Sequence, residues 1–225
     1  MYHWDFTPVF ASAGLLAQGL ANTLKVTAVA LACGLSLGLA LALLRLSSRR
    51  FLSWPAGFVI EVFRTTPPLV QLFWFFFALP LIARIEMTPF AAAVVTFSIQ
   101  SAAFFAEVFR AGIQSIERGQ WEGALAIGMS RHQALKRVVL PQAVTRKIPA
   151  VLERSIELMK TTTLVATIAY ADLLYQANAI AQKTYRPLET FTVAALIYFI
   201  VISAFSLLAR RLERRLAAGG DSTVH

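Results

Sequence analysis

Residues 118–142, RGQWEGALAIGMSRHQALKRVVLPQ, form the longest polar interruption in a chain whose other long segments are apolar. The stretch carries signals of local structure, because Gly128 can end a first short helix and Ser130 can cap a second one. Since proline lacks a backbone N–H and clashes with the preceding helical turn, we expect Pro141 to end that second helix. On spacing alone, a docking element and an ordinary amphipathic helix lying on a membrane are about equally compatible with the stretch.

The segments around this stretch indicate a membrane protein. The 225 residues are 57% apolar and 15% charged, whereas soluble domains average roughly 45–50% apolar and about 25% charged residues. Apolar runs long enough to cross a bilayer recur along the chain, so we predict a polytopic all-α protein in contact with the lipid bilayer. Five spans are expected, at residues 20–46, 56–82, 90–113, 148–168 and 191–208.

The positive charges predict the orientation of these spans. Fourteen of the 21 basic residues lie at or beyond the ends of the first, third and fifth predicted spans, and the net charge is +9. Because Lys and Arg accumulate in cytosolic loops, we expect the N-terminus outside and the C-terminus in the cytosol. The same rule accounts for the excess charge, so no nucleic-acid partner is expected. The chain then divides into a periplasmic segment (1–18), a transmembrane domain (19–215) and a cytosolic tail (216–225).

The polar stretch resembles the EAA loop of bacterial ABC importer permeases, which has Glu-Ala-Ala, three residues, Gly, nine residues and Ile-x-Leu-Pro. The positions of that pattern are occupied in register by Glu122, Gly123, Ala124, Gly128, Val138, Leu140 and Pro141. The segments ANTLKVT, VFRTTPPLVQ, SAAFFAEVFRAGIQSIERGQ and IELMKTTTL extend the resemblance to the polar amino-acid uptake branch, of histidine, glutamate, glutamine, arginine and opine type. This resemblance implies the type I importer architecture, with residues 118–142 as a coupling loop between spans 3 and 4.

The resemblance also implies partners. The chain lacks a GxxxxGKS or GxxxxGKT phosphate loop, so ATP and Mg²⁺ would be bound by two separate ATPase subunits, and we expect no cofactor, metal site or catalytic residue in this chain. In the family, Glu122 would contact the ATPase surface, Gly128 would set the angle between two short helices, and the groove of the ATPase would be filled by Ala124, Leu125 and Ile127. A second permease (another copy or a paralogue) and a periplasmic amino-acid-binding protein complete the expected assembly in the bacterial inner membrane.

Polar side chains within the predicted spans are candidates for the solute path, because ionisable groups are costly in lipid and usually face a cavity or one another. Arg64 stands just before Pro67 and Pro68, which are expected to kink or unwind the second span. A zwitterionic amino acid needs a cation for its carboxylate and an anion for its ammonium group, which Arg64 and Glu157 can supply. The other candidates are Thr65, Thr66, Gln71, Gln100, Glu107, Lys160 and Thr161.

Structural roles compete with these assignments. Glu157 and Lys160 are three residues apart and can neutralise one another, and a structural ion pair is favoured for Glu107 and Arg110 at the same spacing. The family often has Lys-Asp-Thr-Ser-Leu where residues 160–164 read KTTTL. Three alternatives follow from the absence of that Asp. The protein relies on Glu157 to bind the ammonium group, it is not a specialist for cationic solutes, or the partner permease carries the solute site.

Two other functions remain at this point. A stand-alone ion-coupled carrier or channel would use the buried acids as proton or cation sites. An intramembrane enzyme is disfavoured, because the sequence has no HExxH, no GxSxG and no pair of intramembrane Asp residues.

Overall fold

The computed structural model describes the backbone of residues 2–220 and the side chains of residues 2–211. This part of the chain is built from helices joined by short links. In chain order the α-helices are α1 Thr7–Ala11, α2 Ala13–Arg45, α3 Arg50–Thr65, α4 Pro68–Phe73, α5 Leu79–Ala83, α6 Pro89–Gln114, α7 Arg118–Ala126, α8 Arg131–Ala134, α9 Leu140–Thr161, α10 Leu173–Thr184 and α11 Pro187–Gly220. Three tighter or wider helical segments connect some of them, namely π-helical Trp74–Ala78 and Leu135–Val139 and 3-10 helical Thr162–Ile168.

Three helical segments are long and apolar enough to cross a membrane, namely α2, α6 and Pro187–Arg211 of α11. Two bent pairs are further candidates. In one, α3 meets Pro68–Ala83 at 107°, and in the other Arg131–Ile168 meets α10 at 48°. By length and composition the described residues therefore hold three to five spans, which agrees with the predicted all-α membrane class.

Two of the differences from the predicted helix boundaries have a local physical cause. α2 begins at Ala13 and has 33 residues, because residues 13–18 contain neither proline nor charge to stop a helix. The prediction that Pro141 ends the second short helix is wrong, since one helix runs from Arg131 to Ile168. The π-helical turn Leu135–Val139 directly precedes this proline, and its shifted hydrogen bonds accommodate the missing amide. The predicted tail, 216–225, lies beyond the described side chains.

α2 packs closely on α6 through two glycines one turn apart. A Cβ atom on Gly34 would lie 2.7 Å from the Cβ of Ser101, and one on Gly38 would lie 2.7 Å from the Cβ of Phe105. This is the small-residue contact that lets transmembrane helices approach each other. α2 and α6 are therefore in close backbone contact at these two positions.

The N-terminal segment is tied to the start of α11. The carboxylate of Glu189 is fully buried and accepts hydrogen bonds from the Tyr2 hydroxyl at 2.6 Å and the Asp5 amide at 3.1 Å. Arg186 donates both to this carboxylate, at 3.2 Å, and to the His3 carbonyl, at 2.8 Å. Residues 2–5 therefore have a fixed path across this end of the helices.

Candidate functional site

The break in the second span follows from its two prolines. Pro67 and Pro68 supply no backbone N–H, so α3 stops at Thr65 and the next two residues are extended. The Phe63 carbonyl, deprived of its usual donor, accepts a hydrogen bond from Gln71 Nε2 at 3.0 Å, and the same nitrogen donates to the Thr66 carbonyl at 2.9 Å. The predicted break is confirmed. Gln71 is 95% buried and bridges the break, and it is not among the residues that line the cavity described next.

That cavity lies between the end of α3, the middle of α6 and the end of α9, and has a volume of about 210 Å³. It brings together five of the residues predicted for the solute path, which are Arg64, Thr66, Gln100, Glu157 and Thr161. The remaining lining residues, which were not among the candidates, are Pro68, Ser101, Phe104, Phe105, Arg154 and Leu158. A membrane helix bundle with this mixture of charged and hydroxyl groups can hold a small polar solute.

Arg154 is the most important residue that the sequence interpretation missed. It forms an ion pair with Glu157, three residues later, so the suggested Glu157–Lys160 pair is wrong. The guanidinium carbon of Arg154 lies 4.6 Å from the centre of the Phe104 ring, and this cation–π contact orients the side chain. The signal in the sequence was the spacing of Arg154 and Glu157, which suits an ion pair on one helix face.

Arg64 approaches the same ring from the second span. Its guanidinium carbon lies 5.9 Å from the centre of the Phe104 ring. The carboxylate of Glu61 is 3.9 Å from Arg64 and is 68% exposed, so the two form at most a weak, solvent-screened pair. The cavity therefore has two guanidinium groups and, in Glu157, one carboxylate among its lining side chains.

Three further candidates lie elsewhere. The Thr65 hydroxyl donates to the Glu61 carbonyl at 2.8 Å and so bonds back to its own helix. Lys160 is exposed and does not line the cavity. Glu107 lines a neighbouring cavity and accepts hydrogen bonds from Arg110, the shortest at 2.7 Å. The structural ion pair expected for these last two residues is confirmed.

The polar stretch 118–142 forms two short helices with a sharp turn between them. Gly128 has a φ of +83°, a conformation that favours glycine. The amide of Met129 donates to the Ala124 carbonyl at 3.2 Å, and the amide of Gly128 donates to the Leu125 carbonyl at 3.0 Å. These two bonds are the Schellman ending of an α-helix. The predicted role of Gly128 in ending the first helix is confirmed.

The second short helix begins as the sequence predicts and then continues far beyond the prediction. Ser130 and Gln133 form a reciprocal capping box, with bonds of 2.9 and 3.3 Å. From Arg131 the helix passes through the π-helical turn and into α9, which carries Arg154 and Glu157. One continuous element therefore joins the polar stretch to the cavity.

Most of the predicted coupling residues are exposed on the surface of the stretch, whereas Ala124 is buried. Glu122, Gly123 and Gly128 are exposed, and Leu125 and Ile127 expose 39% and 74% of their surface. The expectation that Ala124 fills a partner's groove does not fit the structure, because Ala124 is 95% buried in its own chain.

The end of the stretch packs onto the membrane helices. Leu140 is partly buried against a cluster that includes Ile113 and Val139, while Pro141 is exposed. Trp121, from the first short helix, packs against the same cluster. Both short helices are thus anchored to the ends of α6 and α9, and the exposed face of α7 remains accessible.

Known proteins share this sequence and fold. The family model described as "binding-protein-dependent transport system inner membrane component" matches residues 34–218. The glutamate/aspartate import permease protein GltK of Escherichia coli is 36% identical over 224 residues, covering 96% of this chain and 100% of the relative. The arginine transport system permease protein ArtQ of Bacillus subtilis is 36% identical over 212 residues, covering 94% of this chain and 97% of the relative.

Solved structures agree with these matches. A crystal structure of an amino acid ABC transporter with histidines is 37% identical, with a TM-score of 0.89, and the match covers 95% of this chain and 100% of that one. An inward-facing structure of the MetNI methionine ABC transporter, at 20% identity and a TM-score of 0.79, shares the fold. These similarities favour the importer permease over a stand-alone carrier or channel. The chain therefore belongs to the family of binding-protein-dependent transport system inner membrane components, the permease subunits of ABC importers.

Proposed function

We propose that this permease subunit moves a polar amino acid through the cavity beside Arg64, and that an ATPase docked on residues 118–142 drives the movement. The observation that carries the proposal is the continuity of Arg131–Ile168. This helix begins at the exposed polar stretch and reaches the cavity with Glu157 and Thr161. A force applied to the stretch is therefore delivered to side chains that can hold a solute.

The chemistry of the cavity supports an amino acid as the solute. A guanidinium group binds a carboxylate through paired, charge-assisted hydrogen bonds, and a carboxylate binds an ammonium group. Arg154 and Glu157 form such a pair with each other, so the carboxylate and ammonium groups of an amino acid can each take the place of one partner. Relatives named as glutamate/aspartate, arginine and glutamine permeases agree with this class of solute.

The surface of the polar stretch supports its role as the ATPase dock. Leu125 and Ile127 are large apolar side chains exposed beside the carboxylate of Glu122, and exposed apolar groups with a polar rim are typical of protein interfaces. Gly128 fixes the angle between the two short helices through its positive φ. The coupling residues proposed for this chain are therefore Glu122, Leu125, Ile127 and Gly128, with Gly123 on the same surface.

The remaining features of the assembly are proposed from the distribution of positive charge along the chain and from its family. The N-terminus lies outside and the C-terminus lies in the cytosol of a bacterium, with five spans crossing the inner membrane. Two ATPase subunits bind ATP and Mg²⁺, a second permease completes the path, and a periplasmic binding protein delivers the amino acid.

Reconstitution in proteoliposomes tests this function. The permease is combined with its ATPase and binding protein, and uptake of labelled amino acid is followed together with ATP hydrolysis. Glu122→Arg should lower the uptake per ATP several-fold, because it reverses a charge on the proposed dock. Glu86→Arg makes the same charge change on an exposed residue outside the dock and serves as the control. Uptake without ATP, or equal coupling in the two variants, contradicts the proposal.

A further inference from the structure

Three exposed arginines, the corner arginines, gather where α2 turns into α3. Arg45 is the last residue of α2, Arg49 precedes α3 and Arg50 begins it. Arg49 and Arg50 stand at the start of a helix, where the helix dipole disfavours a positive charge and favours an anion. Among the described residues, no side chain caps this helix end. The corner therefore concentrates positive charge in a place where an anion would stabilise it.

The acidic side chains of the neighbouring helices lie against other arginines. α2 contains no acidic residue, and α3 and α6 contain one each. Glu61 of α3 lies 3.9 Å from Arg64, and Glu107 of α6 lies 2.7 Å from Arg110. Among the side chains of residues 2–211, no carboxylate lies within 4 Å of the nitrogens of the corner arginines. This part of the chain thus leaves their charge without an ion pair.

An open cleft beside the corner joins one of these arginines to two aromatic rings. Its lining residues are Arg45, Trp54, Gly57 and Phe58, and its volume is about 190 Å³. The rings of Trp54 and Phe58 are stacked, with their centres 6.2 Å apart, and the two residues expose 73% and 62% of their surface. A cationic group beside an apolar wall matches a phospholipid, which has a charged headgroup and apolar acyl chains.

The guanidinium of Arg45 is positioned in the cleft by α3. Its Nη1 donates to the Ser53 carbonyl at 3.0 Å and to the Ser53 hydroxyl at 3.3 Å, and that hydroxyl donates to the Arg45 carbonyl at 2.8 Å. These bonds use Nη1, and Nε and Nη2 are further donors for an anion. A Cβ atom on Gly57 would lie 2.6 Å from the guanidinium carbon. The missing side chain at Gly57 therefore makes room for the charged group.

We propose that this corner binds an anionic phospholipid of the cytosolic leaflet, with its phosphate on the corner arginines and its acyl chains against Trp54 and Phe58. Basic residues next to a membrane helix attract anionic headgroups. The accumulation of positive charge in cytosolic loops accounts for arginines here, but it does not account for the aromatic wall or for the space at Gly57. The cleft shares no lining residue with the solute cavity, so its occupant is independent of the solute carried.

Native mass spectrometry of the delipidated permease–ATPase complex tests the site. Dioleoyl-phosphatidylglycerol and dioleoyl-phosphatidylcholine have the same acyl chains, and only the first has a net negative charge. Because each basic residue near an anionic lipid contributes about fivefold in affinity, the double variant Arg49→Gln/Arg50→Gln should weaken phosphatidylglycerol about 25-fold and phosphatidylcholine little. The unaltered complex should prefer phosphatidylglycerol by at least that factor. Arg210→Gln/Arg211→Gln removes the same charge from exposed positions on α11 and is the matched control.

Gly57→Ala tests the cleft without removing a charge. The added methyl group displaces the end of the flexible Arg45 side chain, so the fold is retained and phosphatidylglycerol should bind several-fold more weakly. Gly14→Ala, where nothing lies within 4 Å of the added Cβ, is its control and should bind normally.

Four results would each overturn the lipid site. These are equal affinity of the unaltered complex for the two lipids, equal weakening in the two double variants, unchanged phosphatidylglycerol binding in Gly57→Ala, and binding by the permease alone that is lost when the ATPase is added. The last result would make the ATPase the occupant of the corner.

Discussion

The same substitution at two glycines of the polar stretch should have opposite effects. Gly128 has a φ of +83°, and an L-residue held in that left-handed region costs about 1–2 kcal/mol. Gly123 lies inside α7 with no atom within 4 Å of an added Cβ, and alanine there is favoured over glycine by roughly 0.5–1 kcal/mol. We therefore expect Gly128→Ala to destabilise the end of α7 and Gly123→Ala to stabilise it.

Hydrogen–deuterium exchange of the amides in α7, measured by mass spectrometry, reports this local stability. About 1.4 kcal/mol corresponds to a tenfold change in an equilibrium constant. Exchange in Gly128→Ala should consequently be about 5–30-fold faster, and in Gly123→Ala about 2–5-fold slower, than in the unaltered protein. Peptides from α2 serve as an internal reference and should not change.

The coupling assay adds a functional readout to the same pair of variants. Uptake per ATP should fall in Gly128→Ala, because the angle between the two short helices is lost, and should be retained in Gly123→Ala. Exchange that shifts in the same direction in both variants, or a Gly128→Ala protein with normal exchange, would refute the assignment of these backbone roles.

Three further substitutions test the packing described above. Gln71→Leu should lower the free energy of unfolding by about 2 kcal/mol, because the Phe63 and Thr66 carbonyls lose their donor. An unchanged melting temperature in detergent would contradict this. Gly38→Leu should prevent a stable fold or lower the melting temperature strongly, since even its Cβ would lie 2.7 Å from that of Phe105; normal stability would show that α2 and α6 can separate. Ser130→Ala should cost about 1 kcal/mol through loss of the capping box, seen as faster amide exchange in α8, and unchanged exchange there would argue against the cap.

Local stereochemistry explains which parts of the fold are readable from the sequence. The turn at Gly128, the cap at Ser130 and the break before Pro68 depend on residues within one or two turns, and all three are present. Proline at position 141 would end the helix only if the preceding turn kept its α-helical hydrogen bonds. The π-helical turn before it changes those bonds, and the sequence pattern contains no comparable signal for that change.

Only part of the cavity could be predicted from the sequence, and for a different reason. A charge such as Arg64 or Glu157 is conspicuous in an apolar run, so its importance is visible without a structure. The choice of partner is not visible in the same way. Glu157 has Arg154 and Lys160 at equal spacing, and the structure favours Arg154, whose guanidinium is held by Phe104 from another helix. Tertiary contacts of this kind also explain why Gln71, predicted for the path, is occupied by the carbonyls of the break.

The continuous helix through Arg131–Ile168 also fixes a rotational phase between its two ends. An α-helix turns by about 100° for each residue, so one residue inserted between the polar stretch and Arg154 would swing Glu157 around the helix axis and away from the other cavity side chains. Four inserted residues would nearly restore the direction but displace the carboxylate by about 6 Å along the axis. The length of this helix is thus as important to the site as the identity of its side chains. Insertions or deletions that a surface loop would tolerate would disrupt the site here.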